Sequence, residues 1–182
     1  ESNTEKIYLS AVEGNMVYDS YKTIIEYPPL PNIIYFHKAD SKLIEINLKT
    51  VGKKIGYIPG AGDKIPEALQ KMGYEVTVLS ENDITPNNIA QFDAIVTGVR
   101  AYSVHKWLSD LYPVLMNYVK NGGVLLVQYN KNSYRNSVTT KIGPYPFTIS
   151  GNRVTDETSE VQFVDPENTL LNYPNKITKK DF

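Results

Sequence analysis

The chain has 182 residues, a formal net charge of −1, and 41% hydrophobic and 21% charged side chains, which is the composition of an ordinary globular domain. The balanced charge argues against a broad surface for nucleic acid or anionic lipid, and no apolar run approaches the ~20 residues of a membrane span. Cysteine is absent and the histidines are His37 and His105. This excludes disulfides, thiolate nucleophiles, cysteine-ligated zinc and a histidine-rich metal site, and we expect no cofactor.

Residues 1–50 are predicted to be irregular, as an extended arm or the tail of a preceding domain. YPPLP at 27–31 places three prolines in five residues, which favours extended backbone over helix. Short apolar stretches flank these prolines, and KLIEINL at 42–48 alternates like a strand. We expect the region to pack on a neighbour and to lack a core of its own. No basic-then-apolar leader occurs, so any signal sequence is expected outside this chain.

From residue 53 onward the sequence alternates between strand and helix patterns. Asp63 and Ser103 are predicted to cap helices, Thr85 with the following proline to start a short helix, and Pro113 to kink or break the last helix. Four apolar segments are predicted to be strands: KKIGYIPG (53–60), YEVTVLS (74–80), FDAIVTGV (92–99) and VLLVQYN (124–130). This order predicts an α/β domain with a mostly parallel sheet, three-layered and doubly wound, flavodoxin- or Rossmann-like.

Ligands of such domains bind beyond the carboxyl ends of the strands. That rule makes residues 59–63, 80–83, 98–102 and 128–132 the candidate site loops. The candidate ligand-binding residues are Gly60, Gly62, Asp63, Arg100, Tyr102, Gln128 and Asn130.

The segment after residue 130 loses the helical pattern. We expect the polar residues 131–141 to be mobile, and three runs to be short β-type segments between turns: PYPFTIS (144–150), EVQFVDP (160–166) and NYPNKIT (172–178). Thr178 and Asp181 have the spacing of a helix start. Because the sequence ends there, we expect a fragment of a longer protein.

The glycine-rich segment GYIPGAGDKIPEAL (56–69) is similar in outline to a phosphate-binding loop. A dinucleotide fingerprint needs a third glycine within the helix, and a P-loop needs Gly-Lys-Ser/Thr; neither is present. Asp63 at the helix start would also repel a phosphate. We therefore interpret Asp63 as a helix cap and disfavour nucleotide binding.

The segment AIVTGVRAYS (94–103) has the form of a strand-to-helix turn that presents a nucleophile in hydrolase-type folds. The position two residues after Gly98 is Arg100. Its guanidinium could pair with a carboxylate such as Asp63 or Asp83, stack on Tyr102, or bind an anionic or sugar ligand. We favour internal pairing, because an unpaired arginine in a crevice is costly.

His105 with Asp110 or Asp93 could imitate a catalytic base and the carboxylate that orients it. Such a pair has nothing to activate at the turn, since Ser103 lies too late in the sequence and is better explained as a helix cap. We therefore predict that His105 is a surface residue in the first turn of a helix.

The segments GYIPGAGDKIPEALQKMGYEVTVL, FDAIVTGVRAY, YVKNGGVLLVQYN, PYPFTIS and VQFVDPENTLLNYPNKIT together resemble a class I glutamine amidotransferase-like domain. The version they resemble most is attached C-terminally in large bacterial proteins of the PIG-L (LmbE-like) deacetylase family. Trehalose-utilisation-type domains and the trimerisation domain of some β-galactosidases are more distantly similar. The resemblance covers about residues 20–182 and implies an amidotransferase-like domain over 51–182, truncated at its C-terminus.

The same resemblance places a catalytic cysteine at the strand–helix turn, where this sequence has Arg100. Glutaminase activity is therefore excluded on chemical grounds. The zinc motif of the deacetylase family, an Ala-His-Pro-Asp-Asp run in a separate N-terminal domain, is also missing from the sequence.

Our leading hypothesis is a non-catalytic accessory domain, for ligand binding or assembly, in a larger carbohydrate-related deacetylase protein. The expected partners are the upstream deacetylase-type domain of its own polypeptide and a carbohydrate ligand, with a homo-oligomer as an option. The alternatives are a hydrolase of unrecognised type that uses Asp63, Arg100 and His105, and a structural oligomerisation module. The lack of cysteine suits an exported and a cytoplasmic protein equally; a periplasmic or exported location is our working expectation.

Overall fold

The computed structural model describes residues 3–45, 47–132 and 141–182. Its internal contacts divide the chain into two compact units, residues 1–48 and residues 49–182. Each unit has its own secondary structure. In the described part of the chain, no helix has the length and apolar character needed to cross a lipid bilayer.

The first unit consists of short antiparallel strand pairs. The pairs are β1 with β6, β2 with β3, and β4 with β5. The prediction of an irregular arm is wrong, because the apolar stretches on either side of the prolines pair with each other: Ile25 lies opposite Ile33 across the turn. The six strands are β1 (Asn3–Tyr8), β2 (Ala11–Glu13), β3 (Met16–Tyr18), β4 (Ser20–Ile25), β5 (Ile33–Lys38) and β6 (Asp40–Glu45).

The strand pairs of the first unit enclose no core. Among its described side chains none is buried, and large apolar residues such as Val12 and Phe36 are 68% and 70% exposed. Two-stranded ladders are at best marginally stable in water unless a further layer covers one face. The expectation that this region lacks its own core is confirmed for the described residues.

The second unit is built on a four-stranded parallel sheet. Its strands are β7 (Lys54–Ile58), β8 (Glu75–Val78), β9 (Ala94–Thr97) and β10 (Val124–Val127), in the order β8-β7-β9-β10. The helices that connect them are α1 (Ile65–Lys71), α2 (Pro86–Ile89), α3 (Ala101–Val104), α4 (Trp107–Asp110) and α5 (Tyr112–Lys120). This is a Rossmann-like α/β arrangement, and the predicted parallel sheet is confirmed.

Two separate apolar clusters hold the helices to the sheet. Ile55, Tyr57 and Val96 pack with the α1 side chains. Ile58 and Ile95, which alternate with them along the strands, belong to a larger cluster that receives α2, α4 and α5. Since successive strand residues point to opposite faces, the continuous apolar runs of β7 and β9 are explained by packing on both faces. The edge strands are covered less: Val124 and Leu126 of β10 are more than half exposed.

Two of the four predicted helix boundaries are confirmed, at Thr85 and at Pro113. The Thr85 hydroxyl accepts a hydrogen bond from the Asn88 amide at 3.3 Å and caps α2. Pro113 lies in the first turn of α5, so the predicted long helix is broken there. The prediction that Ser103 caps a helix is wrong: Ser103 lies inside α3, and Arg100 occupies the cap position. The cap position of α1 is Lys64, while Asp63, one residue earlier, still accepts from the Ile65 amide.

The described residues after β10 contain no strand. They form one short helix, α6 (Thr169–Asn172), and a 3₁₀ turn at Lys179–Asp181 that begins with the predicted capping pair of Thr178 and Asp181. The predicted β-type runs at 144–150, 160–166 and 172–178 are therefore wrong, because Pro and Asn turns interrupt them before they can pair. The predicted mobility of 131–141 falls largely on residues 133–140, which lie outside the described residues.

Candidate functional site

The candidate site lies where the sheet changes winding direction. β7 continues through α1 to β8 on one side, whereas β9 continues through α3–α5 to β10 on the other. The loops after β7 and β9 therefore meet at the carboxyl edge, at the switch point where such folds form their ligand crevice. Two backbone hydrogen bonds join their bases: Gly98 N donates to Ile58 O at 2.8 Å, and Ala61 N donates to Val99 O at 2.7 Å.

Asp63 fastens the two loops through its side chain. Oδ1 accepts hydrogen bonds from the Tyr57 hydroxyl at 2.7 Å and the Ile65 amide at 3.0 Å, and Oδ2 accepts from the Val99 amide at 3.1 Å. Partial burial acts to raise the pKa of the Asp63 carboxyl, but these three donors outweigh burial and hold it below its ordinary value. Burial, with the bond to Asp63, raises the pKa of Tyr57.

Two glycines allow these loops to approach each other. A Cβ on Gly60 would collide with the Val99 carbonyl oxygen, and one on Gly98 would lie 2.6 Å from the Gly60 nitrogen. Glycine is favoured at position 62 for a different reason. Its φ of +108° is in the range that L residues rarely adopt, although the space around it is open. The predicted site residues Gly60 and Asp63 therefore hold the loops at close approach.

Arg100 occupies the strand-to-helix turn in the left-handed conformation, with φ 58° and ψ 26°. Among the described non-glycine residues it alone has a positive φ. Such backbone strain is concentrated at functional turns, and a nucleophile elbow has the same position in its fold. The Arg100 amide donates to Tyr129 O at 2.7 Å, which joins this turn to the segment after β10.

The Arg100 side chain does not form the internal ion pair that we expected. It is exposed, and among the described residues no carboxylate lies within salt-bridge distance of it. The two proposed partners bind elsewhere: Asp63 as above, and Asp83 to the Ser80 amide and hydroxyl at 2.7 and 2.6 Å. The guanidinium is therefore open to solvent at the crevice.

Tyr102 is in the core instead of the crevice. It is 7% exposed and belongs to the larger apolar cluster, and burial raises its pKa to about 12. The predictions that Tyr102 contacts a ligand or stacks under Arg100 therefore lose their basis, because its ring is used for packing.

His105 ends α3 and does not begin a helix, which corrects the prediction for it. Its Nε2 lies 2.9 Å from Pro59 O; since a carbonyl only accepts, that nitrogen carries the proton. Of the proposed orienting carboxylates, Asp93 accepts from the Lys53 and Lys54 amides at the amino end of the sheet. Asp110 makes no hydrogen bond to His105. The base-and-orienter arrangement is therefore not formed.

The segment after β10 contains polar atoms without partners. Asn130 is 8% exposed; its Nδ2 donates to Gln128 O at 2.9 Å, while its Oδ1 and the Gln128 Nε2 have no hydrogen-bond partner among the described residues. The same holds for Thr97 Oγ1 and Ser103 Oγ. Buried polar atoms are nearly always paired, so Gln128 and Asn130, which follow β10, have hydrogen-bonding capacity left for a ligand.

A cavity of about 370 Å³ opens beside Asn130, at the carboxyl end of β10. The candidate loop 128–132 predicted from the sequence includes its first wall. The second wall was not predicted, because it comes from a segment without regular structure. Asn132 holds the two together, donating from Nδ2 to Ile149 O at 2.9 Å. The walls are residues 129–132 and 149–154.

A second cavity, of about 310 Å³, lies between α2 and α5 near the amino end of the sheet. Phe92, Val114 and Tyr118 contribute to its lining, together with Asp93, whose carboxylate accepts two backbone amides. No sequence pattern predicts this cavity, since the carboxyl-edge rule concerns the other end of the sheet. Within the described ranges, no group of three His, Asp or Glu side chains could hold a metal ion.

Comparison with protein-family models, curated proteins and solved structures gives no match for this chain.

Proposed function

We propose that this chain carries a non-catalytic, amidotransferase-like binding domain with a doubly wound, three-layer arrangement. It serves ligand binding or assembly in a larger, carbohydrate-related protein of the PIG-L type. The observation that carries the proposal is Arg100, which stands in the strained strand-to-helix turn where the resembled amidotransferases have their nucleophile. A guanidinium cannot attack a carbonyl carbon, but it binds carboxylates, phosphates and hydroxyl groups.

The groups around that turn favour binding over catalysis. Asp63 accepts three hydrogen bonds that maintain the loops, and His105 donates from Nε2 to Pro59 O. A catalytic base must reach the proton that it removes, and among the described residues neither side chain forms a hydrogen bond with a serine or threonine hydroxyl. Arg100 is exposed at this edge, and Asn130 lines the cavity at the end of β10.

Activity assays on the purified chain test the absence of catalysis. We expect no ammonia from glutamine, because the chain has no thiol nucleophile. We also expect no acetate from N-acetylglucosamine, with and without added zinc, because two histidines are too few for the usual zinc ligand set. An authentic amidotransferase and an authentic deacetylase serve as positive controls in the same assays. Turnover that disappears in the His105→Ala variant would overturn the proposal and favour a hydrolase that uses Asp63, Arg100 and His105.

The sequence that precedes this segment in its gene tests the proposed context. We expect an upstream domain with the Ala-His-Pro-Asp-Asp run of the deacetylase family. An upstream neighbour of unrelated type would contradict the context while leaving the binding role to be decided by ligand measurements.

A further inference from the structure

We propose that the cavity at the carboxyl end of β10 binds an acidic sugar, that is, a sugar ring with a carboxylate or phosphate substituent. The inference rests on the proposed function as a binding domain, and it adds the place and the ligand class. The cavity, hereafter the β10 cavity, is the one formed by residues 129–132 and 149–154. Its volume of about 370 Å³ is within the roughly 300–1,000 Å³ of small-molecule sites.

The charge of the β10 cavity favours an anion. Lys131 is on one wall and Arg153 on the other, and none of the described residues that line it is acidic. Neither cation forms a salt bridge within the described ranges. Two cations facing one space attract a negative group, which they can bind through charge-assisted hydrogen bonds.

The polar groups of the same cavity favour a ligand rich in hydroxyls. Asn130 is more than nine-tenths buried, lines the cavity, and has an Oδ1 without a partner among the described residues. That oxygen can accept from a hydroxyl donor, and a buried acceptor left unsatisfied costs free energy. Ser150 and Asn152 add further donors and acceptors on the opposite wall.

An aromatic ring completes the set. Tyr129 lines the cavity and is 61% exposed, so its ring is accessible and presents both an apolar face and a hydroxyl. Its backbone oxygen accepts from the Arg100 amide, which fixes the position of this wall against the strained turn. A ring with hydroxyls and one anionic group fits these contacts better than a bare anion or an apolar molecule.

Calorimetric titration of the full chain at low ionic strength tests the proposal. The probes are trigalacturonic acid, glucose 6-phosphate, glucose and inorganic phosphate. We expect at least one of the two acidic sugars to bind about tenfold or more tightly than both glucose and phosphate, and 0.5 M salt to weaken that binding. Equal affinity for glucose, or for inorganic phosphate, overturns the proposal, as does an absence of binding.

Variants assign the binding to the cavity. Arg153→Ala and Lys131→Ala should each weaken binding of the acidic sugar about tenfold, and Asn130→Ala should weaken it as well. Lys71→Ala, which removes an equal charge from α1, should leave affinity unchanged. Thermal unfolding of each variant verifies that it is folded; if Asn130→Ala does not fold, the two cation variants decide the result.

The outcomes separate this inference from the proposed function. Binding of the acidic sugar that is insensitive to Arg153→Ala and Lys131→Ala overturns the β10 cavity while a binding domain stands. Catalytic turnover in the assays above overturns the non-catalytic function whether or not the cavity holds a sugar.

Discussion

Asp63 joins the two loops of the crevice through one carboxylate. Its oxygens accept from the Tyr57 hydroxyl and from the amides of Ile65 and Val99. Three donors around one carboxylate stabilise the charged form, which is why the pKa is lowered despite partial burial. Asp63, which the sequence predicts to be a helix cap, therefore also connects the loops after β7 and β9.

Asp63→Asn should lower the free energy of unfolding at pH 7 by about 1–3 kcal/mol. An amide can replace one of the two oxygens as acceptor, but it places a donor against either the Val99 amide or the Tyr57 and Ile65 donors. Because the folded pKa is depressed, the stabilisation is present above the pKa of the unfolded chain and is lost as pH falls through the folded value. The difference from wild type should therefore be full at pH 7 and shrink below about pH 4.

Denaturant unfolding at several pH values measures this difference. Asp110→Asn, an exposed aspartate on α4 without a hydrogen bond to its side chain, is the matched control and should have little effect at any pH. An Asp63→Asn variant as stable as wild type at pH 7 would contradict the role assigned to the carboxylate.

For Arg100, in contrast to Asp63, we expect removal of the side chain to have little effect on stability. Its side chain is exposed and unpaired among the described residues, so Arg100→Ala should change the free energy of unfolding by no more than about 0.5 kcal/mol. Arg100→Gly should raise it by up to about 1 kcal/mol, because glycine adopts the left-handed conformation without strain. Thermal and urea unfolding measure both. A loss of about 3–5 kcal/mol in Arg100→Ala would instead indicate the internal ion pair.

At the scale of elements, the loops after β7 and β9 can contact each other because Gly60 has no side chain. Gly60→Ala would drive a Cβ into the Val99 carbonyl, so the backbone must shift; we expect a loss of about 1–3 kcal/mol in unfolding free energy. Gly151→Ala, where an added Cβ meets nothing within 4 Å, is the control for the same chemical change. Equal stability of the two variants would mean that the loops separate without cost.

The elements that could be predicted are those whose signals are local. The apolar runs of the four strands, the capping pair of Thr85 and Pro86, and the break at Pro113 each depend on neighbouring residues, and each is confirmed. The prediction for Ser103 is wrong because the turn at Arg100 starts the helix three residues earlier than a capping serine at 103 indicates. The residues next to Arg100 in the sequence do not predict its left-handed conformation.

The candidate site was predictable in position but not in its contacts. The carboxyl-edge rule brought Gly60, Asp63, Arg100 and Asn130 to one side of the sheet. The predicted ion pair of Arg100 with Asp63 does not form, because two backbone amides and the Tyr57 hydroxyl already donate hydrogen bonds to the carboxylate. The strand pattern of the sequence does not predict where a tyrosine hydroxyl points. The 149–154 wall of the β10 cavity was missed because its residues have neither helical nor strand periodicity.

At the scale of the whole molecule, the core belongs to one unit. Every buried apolar residue of the described chain lies between Ile55 and Ile142, and residues 1–48 form strand pairs without buried side chains. The stability of the second unit therefore depends on its own packing. Light scattering of the full chain addresses assembly, for which homo-oligomerisation stays a prediction.

Removal of residues 1–48 should leave the second unit folded. We expect the melting temperature of 49–182 to change by less than about 3 °C relative to the full chain, and calorimetry provides the measurement. The isolated 1–48 segment, as the complementary sample, should show no cooperative transition. A truncated chain that fails to fold would show that the strand pairs supply stability to the sheet.

The strand order has a consequence for the newly made chain. Ile55 in β7 pairs with Ala94 in β9, 39 positions later, whereas β8 begins at Glu75. At a synthesis rate of about 5–20 residues per second, the β9-facing edge of β7 waits roughly 2–8 seconds for its partner. During that interval β7 and β8, with α1 between them, are the strands of this sheet that can assemble. The edge of β7 that will pair with β9 stays open. The nascent protein therefore has an open strand edge, able to pair incorrectly, until the strand that ends in the Arg100 turn emerges.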